Sequence, residues 1–254
     1  MKTKAIIRIV VCSVLFLSLL SVLLGGLHFV HFFGTKPSGE TTYLERKVDA
    51  RKYANLEIDW AAGSITIVKG IISDSIIIQE VRDTNNPYTF STEFDDNTLK
   101  ISYGEPSINF GNISGKDLLI QVPSYWDCNQ LEINGAALNV EIRGVDIDHM
   151  ELNGASNKLQ FNGELHDLEV NGMANVMDIN ISKGLGRVSV EGMGCKLNLK
   201  LPSSVGFDAS LDGLGVCFES SLECFHDDNS YSYGNKACKI DVSGLGCKVS
   251  VDPS

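Results

Sequence analysis

Residues 131–142 read LEINGAALNVEI, and the same phrase returns as MELNGASNKLQF (150–161), LEVNGMANVMDI (168–179), VSVEGMGCKLNL (188–199), ASLDGLGVCFES (209–220) and IDVSGLGCKVSV (240–251). We number the places of this repeat from 1 to 12. Places 1, 3, 6, 10 and 12 are apolar in every copy except at Ser220, and place 5 is always glycine. Alternating apolar residues on both sides of a glycine predict two β-strands that meet at a corner.

The spacing of the copies predicts how they assemble. Consecutive corner glycines are 19, 18, 20, 21 and 31 residues apart, and they are Gly135, Gly154, Gly172, Gly192, Gly213 and Gly244. A period near 20 is typical of a solenoid, whose units bury a core only by stacking. We therefore predict an all-β fold, a parallel β-solenoid over residues 130–254 whose copies stack in chain order with the apolar places inward. The long last interval predicts an insertion at 223–239.

A less regular copy, residues 56–67, precedes the six copies of the repeat, and we call it the older copy. Residues 56–67 read LEIDWAAGSITI, with Trp60 in the place of the corner glycine. Strand-forming runs of irregular spacing follow it, separated by turn sequences such as Asn85-Asn86-Pro87. We expect residues 53–129 to begin the same β-structure and to cap its end, because an open solenoid end exposes apolar columns and strand edges.

The N-terminus carries a membrane signal. Residues 9–33 contain no Asp, Glu, Lys or Arg, and this segment is long enough to form one transmembrane helix. We predict an uncleaved signal anchor, with cleavage after Gly26 as the alternative. Residues 1–8 would form a basic cytoplasmic tail and residues 34–52 a linker to an exported domain. Basic residues also follow the helix within about 20 positions, so the positive-inside count alone does not decide the orientation.

These features together resemble a known family. LEIDWAAGSITI (56–67), DLLIQVPSYWDCNQLEINGA (117–136) and the repeated glycine corners are similar to the bacterial putative-adhesin family, a domain of unknown function. The resemblance covers about residues 53–252. It implies a membrane-anchored β-solenoid protein of the cell envelope, in some members linked with envelope stress, and it implies no catalytic residue. The chain departs from the usual Ser-Gly corners by using Asn-Gly and Gly-Leu-Gly, and adds a cysteine-rich C-terminus.

The charge of the chain restricts its partners. After residue 34 there are 18 basic against 32 acidic residues, a net charge of −14. Binding of nucleic acid or an anionic membrane surface needs a field of Lys and Arg, so both are disfavoured. Glu132, Glu151 and Glu169 share place 2 of three copies and would form an outward column. We interpret this column as a solvated acidic face, and as a weak candidate for a divalent cation or a basic partner.

Asn134, Asn153 and Asn171 precede three consecutive corners, and we expect them to form a structural ladder of amides. Some parallel β-helices are polysaccharide-degrading enzymes, which makes an enzyme the alternative. No motif places an arginine of the repeat beside a carboxylate pair, and His149 with His166 lack the further ligands of a zinc site. We therefore predict no catalytic residue, no metal and no cofactor.

Six cysteines lie outside the predicted membrane helix. Cys224 and Cys238 bracket the segment FHDDNSYSYGNKA (225–237) of the insertion, and we predict a disulfide between them if the domain is exported. In chain-order stacking Cys195 and Cys247 would lie two rungs apart, about 9.6 Å, which exceeds the roughly 7 Å limit for a disulfide. We therefore expect these two cysteines to remain unpaired.

Three functional hypotheses follow. The first is a non-enzymatic envelope protein, an adhesin or interaction scaffold anchored in the cell membrane by a single span and presented outside it, with a protein or envelope-polymer partner. The second is a cytoplasm-facing scaffold that polymerises end to end, which is favoured by the basic residues after the helix. The third is an enzyme that acts on a polysaccharide.

Overall fold

The computed structural model of the chain describes residues 41–83, 88–104 and 115–254. Within these ranges the fold is all-β, as predicted, and a 3-10 turn at Ala50–Lys52 is the one helical piece. The strands, in chain order, are β1 (Thr41–Asp49), β2 (Asn55–Trp60), β3 (Gly63–Ile71), β4 (Ser75–Asp83), β5 (Ser91–Asp95), β6 (Thr98–Ser102), β7 (Lys116–Pro123), β8 (Cys128–Ala136), β9 (Leu138–Arg143), β10 (Ile147–Ala155), β11 (Lys158–Met173), β12 (Val176–Lys183), β13 (Arg187–Met193), β14 (Lys196–Leu201), β15 (Phe207–Leu214), β16 (Cys217–Ser220), β17 (Phe225–Asp227), β18 (Ser230–Tyr233), β19 (Cys238–Leu245) and β20 (Lys248–Pro253).

The structure tests only part of the predictions for the N-terminal region. The tail 1–8 and the predicted membrane helix 9–33 lie outside the described residues, and no helix in the described part has the length and apolarity to span a bilayer. The linker prediction is wrong from Thr41 onward, because β1 pairs antiparallel with β4 over its whole length. Val48 faces the core while the charged residues between 45 and 47 are exposed. The mixed charges that suggested a linker belong to the outer side of an edge strand.

The copies of the repeat build two parallel ladders. The first ladder joins the strands before each corner, β8, β10, the second half of β11, β13, β19 and β15. The second ladder joins the strands after each corner, β9, the first half of β11, β12, β14, β20 and β16. Residues at the same place of neighbouring copies lie opposite one another. Gly154, for example, is paired with Gly135 on one side and with Gly172 on the other.

The copies do not stack in chain order at the C-terminal end, which corrects the sequence prediction. β19 lies between β13 and β15, and β20 lies between β14 and β16. The last copy, 240–251, is therefore inserted between copies 188–199 and 209–220. Its inward residues are all buried, whereas copy 209–220 has Ser220 at place 12 and a half-buried Phe218. The more apolar copy takes the interior rung and the less apolar one takes the end.

The corner itself explains two glycine positions. A Cβ on Gly154 would overlap the carbonyl oxygen of Gly135 in the neighbouring rung, and the same overlap recurs between the other stacked place-5 glycines of copies 2 to 6. Place 7 is left-handed in every copy, with φ of 59° at Ser156 and 65° at Gly194. That conformation costs a residue with a Cβ about 1–2 kcal/mol, which favours the second glycine of the Gly-x-Gly corners.

The core fills the space between the two ladders. Places 1, 3, 10 and 12 face inward, as predicted, but place 6 does not: Leu214 and Leu245 are 76% and 48% exposed. The inward position at the corner is place 8, which holds Asn157, Asn175 and Cys195, all buried. The left-handed residue at place 7 interrupts the period of two, so the inward face passes from odd to even places across the corner.

The older copy forms an additional rung, as predicted. β2 pairs with β8 and β3 with β9, both parallel, and Trp60 lies opposite Gly135. Beyond this rung the first ladder continues through β6 to the antiparallel β5, and the second through β7 to the antiparallel β4 and β1. At the other end the hairpin β17–β18 covers β15. Within the described ranges, antiparallel strands thus close three of the four ladder ends.

Candidate functional site

The candidate site is the outward side of the first ladder at places 2 and 4, which we call the acid–amide face. The register of β2, β8, β10 and β11 aligns its side chains in two columns. The members are Glu57, Asp59, Glu132, Asn134, Glu151, Asn153, Glu169 and Asn171.

The acidic column is one residue longer than the sequence predicted. Glu132, Glu151 and Glu169 lie on consecutive rungs as expected, and Glu57 of the older copy joins them beside Glu132. Neighbouring rungs of a sheet are about 4.8 Å apart, so each carboxylate repels the next. At Glu132 burial is the largest cause of a raised pKa, and the charges of Glu151 and Glu57 raise the pKa further.

The amide column holds the acidic column in place. Nδ2 of Asn153 donates to Oδ1 of Asn134 at 2.9 Å and to Oε1 of Glu151 at 2.9 Å. Asn171 makes the same two bonds one rung on, at 3.1 Å to Asn153 and 2.9 Å to Glu169. Both amide protons are used in each case, so the predicted ladder forms and each carboxylate is oriented by the asparagine two residues later.

The two ends of the face differ from its middle in charge balance. Lys100 closes one end, with its Nζ 2.5 Å from Glu57 and 2.9 Å from Asp59. At the other end Arg187 and Lys239 both pair with Asp241, at 3.6 and 3.2 Å. Among the described residues, no lysine or arginine forms an ion pair with the three central glutamates, which are Glu132, Glu151 and Glu169.

The histidines and acids do not assemble into a metal centre in the described part of the chain. His149 lies opposite Asp167 in the first ladder, and the ring of His166 lies beside Gly184. No group of three or more His, Cys, Asp or Glu side chains there has the arrangement to hold a metal ion.

A buried ion pair near the N-terminal end was missed by the sequence analysis. Nζ of Lys116 lies 2.9 Å from Glu80 and donates to the carbonyl of Tyr103, and both charged side chains are fully buried. Desolvation lowers the pKa of Lys116, although the bond to Glu80 opposes the shift. The ammonium also lies over the rings of Tyr103 and Trp60. The ammonium of Lys116 donates only to groups inside the core, and its bonds join β4, β7 and the chain after β6. We therefore interpret the cluster as structural.

The six cysteines among the described residues are free thiols. Cys238 is fully buried and Cys224 is half-buried, and the disulfide between them stays a prediction. The expected separation of Cys195 and Cys247 is wrong. Because β20 pairs directly with β14, Cys247 lies on the rung next to Cys195.

Comparison with known proteins supports the fold. No family model matches the chain, and no curated protein matches it. A putative cell adhesion protein from Clostridium sporogenes has a similar structure, with 17% identity, a TM-score of 0.52, and coverage of 85% of this chain and 100% of that one. A putative adhesin from Bacteroides fragilis aligns with 13% identity and a TM-score of 0.45 over 86% and 100% of the two chains. A putative lipid binding protein from Parabacteroides distasonis aligns with 12% identity and a TM-score of 0.35 over 85% and 98%.

Of these three structures, the Clostridium protein alone has a TM-score above 0.5, and at 17% identity it shows a common fold. The resemblance to the bacterial putative-adhesin family, first indicated by the glycine corners, is thereby confirmed as a likeness of fold.

Proposed function

We propose that this protein is a non-enzymatic, adhesin-like interaction protein whose acid–amide face binds a protein partner rich in Lys and Arg. One observation carries the proposal: three stacked glutamates, oriented by an amide ladder, have no cation of the described chain beside them. At a spacing of about 4.8 Å, two unit charges repel by roughly 0.9 kcal/mol even in bulk water. A row of ammonium or guanidinium groups would remove this repulsion and form charge-assisted hydrogen bonds.

The rigidity of the face favours recognition over plain solubility. The asparagines fix each carboxylate through bonds of 2.9–3.0 Å, so binding does not have to order the acidic side chains. Preorganisation of this kind reduces the entropic cost of association. A merely solvated face needs no such bonds.

The architecture and location complete the proposal. The in-register parallel ladders, glycine corners and alternating core support a β-solenoid. The apolar residues 9–33 support a single transmembrane anchor in the bacterial cell membrane, with residues 1–8 cytoplasmic and the β-domain outside. Protease added to intact spheroplasts should digest the β-domain. Full protection until lysis would contradict this topology.

The two alternative hypotheses receive less support. End-to-end polymerisation needs open ladder ends, and antiparallel strands cover three of the four. An enzyme needs a basic or acidic group free to exchange a proton. Lys69 lies between Asp127 and Asp146 at 2.8 and 2.7 Å, and its bonds to them raise its pKa against the opposing effect of burial. This lysine keeps its proton and acts as an ion-pair anchor.

Binding of oligolysine tests the proposed face. The full chain in detergent micelles is titrated with a lysine decamer, and the salt dependence of the affinity is measured. The triple variant Glu132→Gln, Glu151→Gln, Glu169→Gln keeps the acceptors for the asparagines but removes three charges. We expect the affinity to fall at least tenfold, which is about 1.4 kcal/mol.

A matched control separates position from net charge. The triple variant Glu93→Gln, Glu219→Gln, Glu223→Gln also removes three charges, from exposed residues outside the acid–amide face. It should bind the decamer nearly as tightly as the wild type. Equal losses in both triple variants would show that the decamer responds to the overall charge alone, and the proposed site would then be wrong.

A further inference from the structure

The inserted C-terminal strand pair brings two cysteines together. Lys248 lies opposite Lys196, and the N–H of Lys248 donates to the carbonyl oxygen of Cys195 at 2.8 Å. Cys247, one residue earlier, therefore occupies the same place as Cys195 on the next rung. Adjacent rungs are about 4.8 Å apart, within the 4.4–6.8 Å between Cα atoms that a disulfide requires.

Both side chains point into the same interior column. Cys195 and Cys247 are each 1% exposed, and their Sγ atoms lie 3.5 and 3.4 Å from the carbonyl oxygens of Gly172 and Gly192. These carbonyls correspond to those that Asn157 and Asn175 bond in earlier copies. The Cys247 side chain is also within hydrogen-bond reach of Cys195, where burial and this thiol raise the pKa.

We propose that Cys195 and Cys247 are a modification site that forms a disulfide and thereby fastens the inserted strand pair into the stack. The bridge closes a loop of 53 residues, from Cys195 to Cys247 inclusive, which contains the whole of β14 to β19. It joins the rung 240–251 to the rung 188–199, which lies 52 residues earlier in the chain.

The oxidation needs an external disulfide as the two-electron acceptor, such as oxidised glutathione. One cysteine loses its proton and attacks a sulfur of the acceptor, forming a mixed disulfide and releasing one thiolate. The second cysteine, also deprotonated, then attacks its partner's sulfur and displaces the other half of the acceptor. Two protein thiols become one disulfide, and the acceptor becomes two thiols. Because both sulfurs are buried in the finished fold, the exchange takes place before β20 docks or while it is transiently open.

Peptide mapping tests the bridge. The full chain is refolded in detergent with a mixture of oxidised and reduced glutathione, alkylated in denaturant and digested without reduction. We expect a peptide that links Cys195 to Cys247, and a melting temperature higher by about 10 °C than that of the reduced protein. Recovery of both cysteines as alkylated thiols, while the exposed Cys217 carries glutathione, would overturn the proposal.

Matched variants identify the pair. Asparagine occupies this place in two other copies, so Cys195→Asn and Cys247→Asn should both fold, and each should abolish the oxidative rise in melting temperature. Cys128→Ser, at a buried cysteine at the start of β8 and three residues before the first copy, should leave the rise intact. An undiminished rise in Cys195→Asn would assign the stabilisation to another cysteine pair and refute the proposal.

Discussion

Replacing Asn175 by alanine tests the buried amide column at place 8. The Oδ1 of Asn175 accepts from the N–H of Asn157 at 3.0 Å, and its Nδ2 donates to the carbonyl oxygen of Gly154 at 3.1 Å. Alanine leaves that N–H and that carbonyl oxygen without these partners inside the corner. A buried polar group that loses its hydrogen bond costs about 1–3 kcal/mol, so we expect the free energy of unfolding to fall by about 2–6 kcal/mol.

Urea unfolding of the full chain in detergent measures this loss. Trp60 and Trp126 are both buried, so the shift of their fluorescence reports on unfolding of the β-domain. Asn180→Ala is the matched control, because Asn180 is a half-buried asparagine on the outward side of the adjoining strand β12. Asn175→Cys should recover part of the loss, since Cys195 makes the equivalent contact to Gly172. If Asn175→Ala costs no more than Asn180→Ala, the buried column contributes nothing and our account of the corner is wrong.

Three further measurements follow from the geometry. Gly192→Ala places a Cβ against the carbonyl oxygen of Gly172 and should reduce the free energy of unfolding by more than about 3 kcal/mol. In Gly194→Ala the new Cβ meets open space, so this variant should lose only about 1–2 kcal/mol because of its left-handed backbone. Equal losses in urea unfolding would refute the close approach at Gly192. Lys116→Met leaves Glu80 buried with Arg82, 3.3 Å away, as its remaining cation, and should cost about 1–3 kcal/mol. Adding Glu80→Gln should restore part of the loss; a double variant no more stable than the single one would contradict this. The pKa of Glu132 is raised in the fold, so the native state takes up a proton there before the unfolded state does as the pH falls towards 4.5. Glu132→Gln should therefore stabilise the protein at pH 7.5 and do so progressively less at lower pH. A difference in melting temperature that does not depend on pH would contradict the raised pKa.

The alternation of apolar residues predicts most of the core because it is a local property of each strand. It fails at place 6, which points outward because the inward face stays on the odd places up to the glycine at place 5. The inward face changes to the even places only after the left-handed residue at place 7. The signal was present as the second glycine of Gly192-x-Gly194 and its equivalents. That pattern indicates a residue with positive φ, and with it a change of face at the corner.

The order of the rungs could not be read from the repeat. Every copy has the same inward places, so any order of stacking satisfies the apolar pattern equally well. The one hint was Ser220 at place 12, a polar residue suited to an end rung with one neighbour. The acidic column was predictable because register follows from the alignment of copies, and Glu57 would have been included by aligning residues 56–67 in the same way. The pair Lys116–Glu80 joins two irregular strands, and no periodicity indicates such a contact.

The position of the last copy has a consequence for biosynthesis. As a nascent chain leaves the ribosome, the rungs up to residues 188–199 can add one after another, each on a template already in place. Copy 209–220 emerges next but has no template, because its neighbour in the native stack is built from residues 238–253. It must wait, with its strand edges unpaired, until that later segment has emerged and entered beside it. A messenger RNA truncated between these two segments would yield a chain with a nearly complete stack and two exposed, unpaired strand edges. Such edges are prone to aggregation, so we expect the truncated chain to be a substrate for proteolytic quality control.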